Sequence, residues 1–221
     1  VGAGGTIGSE VVRQLRALRR PGGGEVVVVE ASSKAQPGPG KVRVDVADAA
    51  SVRSLDASLP GGVDHVVVCC GPSTYGALES FDARRWEENC NSKLVAISRL
   101  VVMLAKGEEV GILRPGGSIT VTTGQSARTA FGMWPGLALN NAGLEAFVKC
   151  SGIKAPRGVR INAVAPALVR ETALKANLPL EGTVPAAEAA AAYLPLVFGT
   201  ASGEVVDAGS QATFSKSHQT S

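Results

Sequence analysis

Aromatic residues are scarce in this 221-residue chain, at 4%, and histidine occurs only twice. A core with so few rings must be built from Val, Ala and Leu, which suits thin, closely packed layers. Four cysteines, Cys69, Cys70, Cys90 and Cys150, have no metal-ligand spacing. Buried reduced thiols are therefore expected, rather than a zinc site or a disulfide framework. No apolar run approaches the ~20 residues of a membrane span. The net charge is +3 and no basic run exceeds the Arg19-Arg20 pair, so neither nucleic acid nor an anionic membrane is expected as a partner. No signal peptide is visible, and the expected location is cytoplasmic. The chain opens in the middle of a motif, so upstream residues and the start of a first strand are expected before Val1.

What the chain does have is a regular alternation. SEVVRQLRALRR (9–20) puts Val11, Val12, Leu15 and Leu18 on one helical face. EVVVVE (25–30) is a short continuous apolar run, as expected of a strand covered on both sides. KVRVDV (41–46) reads as a strand, and Asp48 can cap a helix running to about Leu59. VDHVVVCC (63–70) is the next strand, with adjacent Cys69 and Cys70 facing opposite ways. A long helix is expected over 82–106, strand SITVTT over 118–123, a helix over 137–151 and strand VRINAV over 159–164. An Ala-rich helix near 186–194 and strand EVVDA (204–208) complete the series, followed by a polar tail from Gln211. Strand and helix alternate six or seven times with short connections. This predicts an α/β, doubly wound Rossmann-type parallel sheet of about seven strands with helices on both faces, a three-layer α/β/α single domain over 1–221. In such sheets ligands bind at the carboxyl edge.

The opening VGAGGTIG carries glycines at 2, 4, 5 and 8, and a helix follows. Glycine is needed where the backbone takes positive φ or lies close to a phosphate. A helix N-terminus then offers N–H groups and partial positive charge to a pyrophosphate. Glu30 ends a Val-rich run 22 residues after Gly8. This spacing makes the loop a dinucleotide fingerprint, with Gly2, Gly4, Gly5, Thr6, Ile7 and Gly8 as the cradle. An acid at Glu30 would accept bonds from an adenosine ribose and repel a 2′-phosphate, which favours NAD, while Ser32, Ser33 and Lys34 leave NADP open. Asp45, with Val46 beside it, is a candidate for the adenine amino group.

At this point the chain resembles the short-chain dehydrogenase/reductase superfamily over nearly its whole length. DVAD (45–48) is similar to the family's DVTD-type segment. DHVVVCCG (64–71) falls where the family has a strand ending in NNAG, which implies that Cys70 and Gly71 border the cofactor. GVRINAVAPALV (158–169) is close to the family's GIRVNAVAPGxV and is the most specific match; it brings in Pro166, Ala167 and Val169 as cofactor neighbours. The final GEVVDAG resembles the family's last strand. In that family the proton is handled by an Asn in the long helix, a Ser ending the next strand and a Tyr-x-x-x-Lys pair one helix later. Aligning GLEAF (143–147) puts the Tyr position at Leu137 and the Lys position at Asn141. Thr123 stands at the Ser position, 14 residues before Leu137. The Asn position falls on Lys93, with Asn91 two residues earlier.

The resemblance thus implies a nucleotide-binding chain with a degenerate active site. Leu137 cannot transfer a proton, and Asn141 can donate to ribose hydroxyls but carries no charge. Three readings stay open. The chain binds NAD(P) without dehydrogenase chemistry, as a sensor, a regulator or a silent subunit beside an active relative. Alternatively it is an oxidoreductase acting on a carbonyl or alcohol through a rebuilt proton path, Thr123 with Lys93 or Tyr75. Or it is a non-redox cyclase or isomerase that uses the pocket for positioning. Arg128, after Thr123, is a solvated loop arginine or an anion-binding group. Tyr193 reads as core. In the resembled family the long helix and the helix after Thr123 form a dimer interface; Ala138, Ala142 and Ala146 would permit such packing, and a homodimer or tetramer is expected.

Overall fold

Gly2, Gly5 and Gly8 turn the first residues from an extended segment into a helix within one short loop. The structure, a computed structural model, describes residues 1–19, 25–71, 75–129 and 134–209. Helix α1 (Thr6–Ala17) leaves this loop. Strands β1 (Glu30–Ser32) and β2 (Lys41–Arg43) pair in parallel. A second parallel sheet has the order β3 (Val63–Val68), β4 (Leu113–Thr122), β5 (Arg160–Pro166) and β6 (Val205–Ala208). Val1–Ala3 join the two sheets. The Cys69 amide donates to the Val1 carbonyl at 2.8 Å, and the Gly2 amide donates to the Ala31 carbonyl at 2.7 Å. The carboxyl ends of β1 and β3 therefore meet beside the glycine loop, and those of the other strands lie along the same edge of their parallel sheets.

The two faces of the sheet are sorted by the strand alternation. Val66, Val68, Ile119, Val121, Ile161 and Ala163 pack under α5 (Ala96–Lys106) and α6 (Pro135–Ile153). Val67, Val164 and Val206 pack under α1, α8 (Ala186–Ala191) and α9 (Tyr193–Phe198). Cys69 joins the second cluster and Cys70 the first, so the adjacent thiols do face opposite ways. All four cysteines are free thiols. Tyr193 is fully buried in the second cluster, where its hydroxyl lies 2.6 Å from Thr122 Oγ1.

The Asp48 side chain accepts from the Ala50 amide and starts α2 (Ala49–Arg53), which continues as α3 (Leu55–Ser58). Asp82 does the same for the long helix, accepting from the Arg85 amide at 2.7 Å at the head of α4 (Ala83–Cys90). That helix is not uniform. Between α4 and α5 lies one wide π-type turn, Asn91–Val95. Asp82→Ala should lower stability by about 1 kcal/mol, the usual value of a cap, as read by urea denaturation.

Three sequence expectations are corrected. The run 25–30 is strand only from Glu30 onward. Val26–Val29 take no ladder partner among the described residues, and Val27 is 87% exposed. Instead they line a cavity of about 510 Å³ with Val11, Leu15, Val63 and Val67. A strand is made by its neighbours' hydrogen bonds, and apolar composition alone does not supply them. The Ala-rich helix breaks at Ala192 into α8 and α9, because Pro195 has no N–H to give the preceding turn. Strand β4 begins at Leu113, five residues before the expected Ser118, with a register shift opposite Val63 and His65. The polar tail from Gln211 lies outside the described residues.

Candidate functional site

The glycine loop is tight on one side and open on the other. Gly2 has φ +80°, and a Cβ there would lie 2.7 Å from the Cys70 amide nitrogen. A Cβ on Gly8 would lie 2.2 Å from the Gly2 carbonyl oxygen. The Gly5 amide donates to that same carbonyl at 3.0 Å. Gly4, by contrast, faces open space within 4 Å. Helix α1 therefore starts hard against the strand end, with no acidic residue in its first turn. Its first amides have no intrahelical acceptor. Lys175, at the end of α7 (Arg170–Lys175), sets its Nζ 3.4 Å from Thr6 Oγ1. A ready anion cradle, with a cation above it, fits a dinucleotide's pyrophosphate.

The acids expected at the adenosine end are differently occupied. Glu30 Oε1 pairs with Arg16 Nη2 at 2.7 Å, in the last turn of α1. Asp45 accepts from the Ala47 amide at 3.0 Å within its own turn. Val46 is buried, and its carbonyl accepts from Arg99 Nη2.

Beyond the loop lies a cavity of about 330 Å³. Ile7, Gly71, Thr123, Pro166, Ala167 and Val169 all reach it, as do Lys93, Tyr75, Leu137 and Asn141. The structure thus brings together all three catalytic candidates proposed from the sequence. Cys70 is the adjoining residue beneath Gly71. Thr123 Oγ1 donates to the Val164 carbonyl at 3.3 Å. Tyr75 stands at the mouth, half exposed, and meets Trp134 edge to face with ring centroids 5.4 Å apart.

The centre of the cavity is a chain of three polar side chains. Lys93, on the π-type turn, is buried and donates from Nζ to Asn141 Oδ1 at 2.7 Å. Asn141 Nδ2 donates to Ser126 Oγ at 2.9 Å. Burial pushes the Lys93 pKa down from 10.5 to about 8, an effect partly offset by the Cys70 thiol. Burial likewise raises the Cys70 thiol. Gly71, at φ +112°, makes room for the lysine: a Cβ there would sit 2.9 Å from Lys93 Cγ. π-Type turns recur at functional sites because they rotate one side chain out of helical register.

The adjacent amides of α6 divide their work. Asn141 points into the cavity, while Asn140 donates to the Asn89 carbonyl at 3.0 Å and ties α6 to α4. Asn91, two residues before Lys93, is exposed. Ser126, Trp134, Leu168 and Thr172 also line the cavity and were not singled out from the sequence. Ser126 had one signal, its place in the loop directly after Thr123. Arg128 is an exposed loop arginine, as one of the two readings had it, but it is already engaged by acids. It pairs with Asp207, and its Nε lies 3.2 Å from Glu145 Oε2. That cluster fastens the loop after β4 to α6 and β6. Among the described residues there is no group of side chains that could hold a metal ion, and no helix is long and apolar enough to cross a membrane.

A family model described as enoyl-(acyl carrier protein) reductase matches residues 16–206. With the glycine cradle and the parallel sheet, this places the chain in the short-chain dehydrogenase/reductase superfamily, to which it belongs. Among solved structures, the protein lin1944 from Listeria innocua is 30% identical with a TM-score of 0.76, over 93% of this chain and 96% of that one. A short chain dehydrogenase/reductase family protein is 28% identical, TM-score 0.74, over 96% and 95% of the two chains. A small-chain dehydrogenase in complex with NADPH shares the fold at 21% identity and TM-score 0.68, over 93% of each chain. No curated protein matches the chain.

Proposed function

We propose that the chain is a nicotinamide-dinucleotide-dependent oxidoreductase acting on a carbonyl or alcohol, with its proton path rebuilt around Lys93. The observation that carries this reading is the buried Lys93 Nζ held 2.7 Å from Asn141 Oδ1 inside the cavity. In the resembled family an ammonium stands at the position of Asn141 and an amide at that of Lys93. Here the two have exchanged walls, and Leu137 fills the place of the phenol.

The glycine loop and the head of α1 bind the pyrophosphate, and Lys175 adds charge there. When bound, the dinucleotide supplies or accepts the hydride. Lys93 holds the substrate oxygen and gives it the proton that reduction requires. Asn141 fixes the ammonium, and Ser126 fixes Asn141. A pKa of about 8 leaves Lys93 protonated at neutral pH, which suits it to the reductive direction. Thr123, its hydroxyl turned to the backbone, shapes the wall. Tyr75 and Trp134 cover the mouth.

The cofactor reading moves toward NADP(H). Repulsion of a 2′-phosphate needs a free acid, and Glu30 is engaged by Arg16. Ser32, Ser33 and Lys34 follow immediately, and Arg43 lies opposite Ser32 in the β1–β2 ladder. Ala142 and Ala146 remain exposed on α6 beside Leu139, which supports self-association through that helix.

Titration with NAD, NADH, NADP and NADPH, followed by a carbonyl screen, tests these statements. Saturable binding is expected, with NADPH at least about tenfold tighter than NADH, and consumption of NADPH with a carbonyl substrate. Binding without turnover of any carbonyl would favour the silent, nucleotide-sensing reading that Leu137 suggests. Failure of all four nucleotides to bind would remove the proposal.

A further inference from the structure

The cavity around Lys93 holds a full positive charge without an acid to balance it. Its lining contains no Asp or Glu, and Lys93 takes part in no ion pair among the described residues. Its hydrogen-bond partner, Asn141 Oδ1, is neutral. The titratable group beside it is the Cys70 thiol, which burial keeps protonated, and the Tyr75 phenol stands on the same lining at the mouth. A buried cation of this kind is costly unless a ligand supplies the opposite charge.

The rest of the cavity narrows the ligand. Ile7, Leu137, Leu168 and Val169 give it apolar walls, and the Tyr75–Trp134 pair stands at its mouth. Such walls accept the faces of a flat ring. One charged donor and one amide oxygen form the polar end. A carboxylate has two oxygens and strips both of water on burial. The Asn141 Oδ1 that accepts from Lys93 would repel the second of them. A single-oxygen anion meets only the ammonium.

We propose that this pocket recognises a planar conjugated substrate whose oxygen is held as an oxyanion by Lys93: a quinone on its way to a phenol, or a cyclic enone on its way to an enol. This rests on the oxidoreductase reading for its turnover, but the recognition itself belongs to the pocket and needs no cofactor. In the reaction the two-electron acceptor is the conjugated carbonyl and the donor is the reduced nicotinamide. The hydride adds to the conjugated system, the carbonyl π pair moves onto oxygen, and Lys93 passes that oxygen a proton. The resulting neutral amine regains a proton from water.

The test uses 4-nitrophenol, whose anion absorbs visible light, on the full chain without nucleotide. Binding is expected to favour the phenolate, lowering its apparent pKa by about one unit, as an opposite charge within hydrogen-bond reach does. Lys93→Met should abolish this shift and Lys93→Arg should retain most of it. Asn141→Asp should also abolish it, by supplying an internal counter-charge, and serves if the Met variant folds poorly. Benzoate should compete at least about tenfold more weakly than the phenol. The proposal is overturned if the neutral phenol binds preferentially, if Lys93→Met leaves the shift unchanged, or if benzoate competes equally. Phenolate recognition without nucleotide binding would remove the oxidoreductase reading and leave the pocket assignment standing.

Discussion

Lys93→Met is expected to lower the rate of carbonyl reduction about 10²- to 10⁴-fold, the range that positioned acid–base groups supply. NADPH affinity should stay within about threefold of the parent, because the cradle at the head of α1 is built from separate residues. The parent's pH profile should carry the same signature. Reduction needs the protonated lysine, so the rate should be flat below about pH 8 and fall tenfold per unit above it. A stability readout distinguishes this role from a packing role. The folded pKa of about 8 lies below the ordinary 10.5. Between those values an unfolded Lys93 binds more protons than the folded one, so Lys93 contributes a rise in stability with pH across that window, against the fall contributed by the buried Cys69, Cys70 and Tyr193, whose pKa values are raised. The Met variant should lack that rise. Equal pH-stability curves for the two proteins would show that Lys93 is not a buried ammonium.

Gly8→Ala should remove nucleotide binding and loosen the fold together. The added carbon meets the Gly2 carbonyl oxygen at 2.2 Å and the Ala3 Cα at 3.1 Å, all backbone, so no side-chain rotation relieves it. Overpacking of this kind costs about 1–3 kcal/mol. Helix α1 must lift from the strand end, and NADPH affinity should fall at least about 100-fold. Gly4→Ala is the informative companion. Its Cβ would meet nothing within 4 Å, so the melting temperature should not change. If the open side of the loop is where the pyrophosphate lies, affinity should still drop. A Gly4→Ala protein that binds NADPH normally would place the ligand elsewhere.

Much of the fold was legible because its signals are local. Apolar periodicity located α1, the long helix and α6 within a few residues. Asp48 and Asp82 begin their helices, as side-chain acceptors two or three residues before a free amide do. The glycine loop was readable for the same reason. What was not legible depends on partners distant in sequence. Val26–Val29 look like a strand by composition, but their pairing is decided by other segments. Arg128 looks free until Asp207, 79 residues away, closes on it. The pairing of Glu30 with Arg16, a residue of the preceding helix, was likewise not legible. Thr123, Lys93 and Tyr75, each singled out for its place near a motif of the family, line one cavity. Ser126 was missed because its role exists only through Asn141 Nδ2.

The Lys93–Asn141 contact also restricts the order in which these two positions can change. Installing lysine at 141 while Lys93 remains would press two ammonium groups into one hydrogen-bonded slot. Removing Lys93 first would leave the chamber with no charge at all. Under the proposed reading, either single step changes the charge of the chamber, so only a paired exchange keeps one ammonium there throughout. Attempts to graft a tyrosine–lysine dyad at 137 and 141 must therefore begin by retiring the incumbent lysine across the chamber.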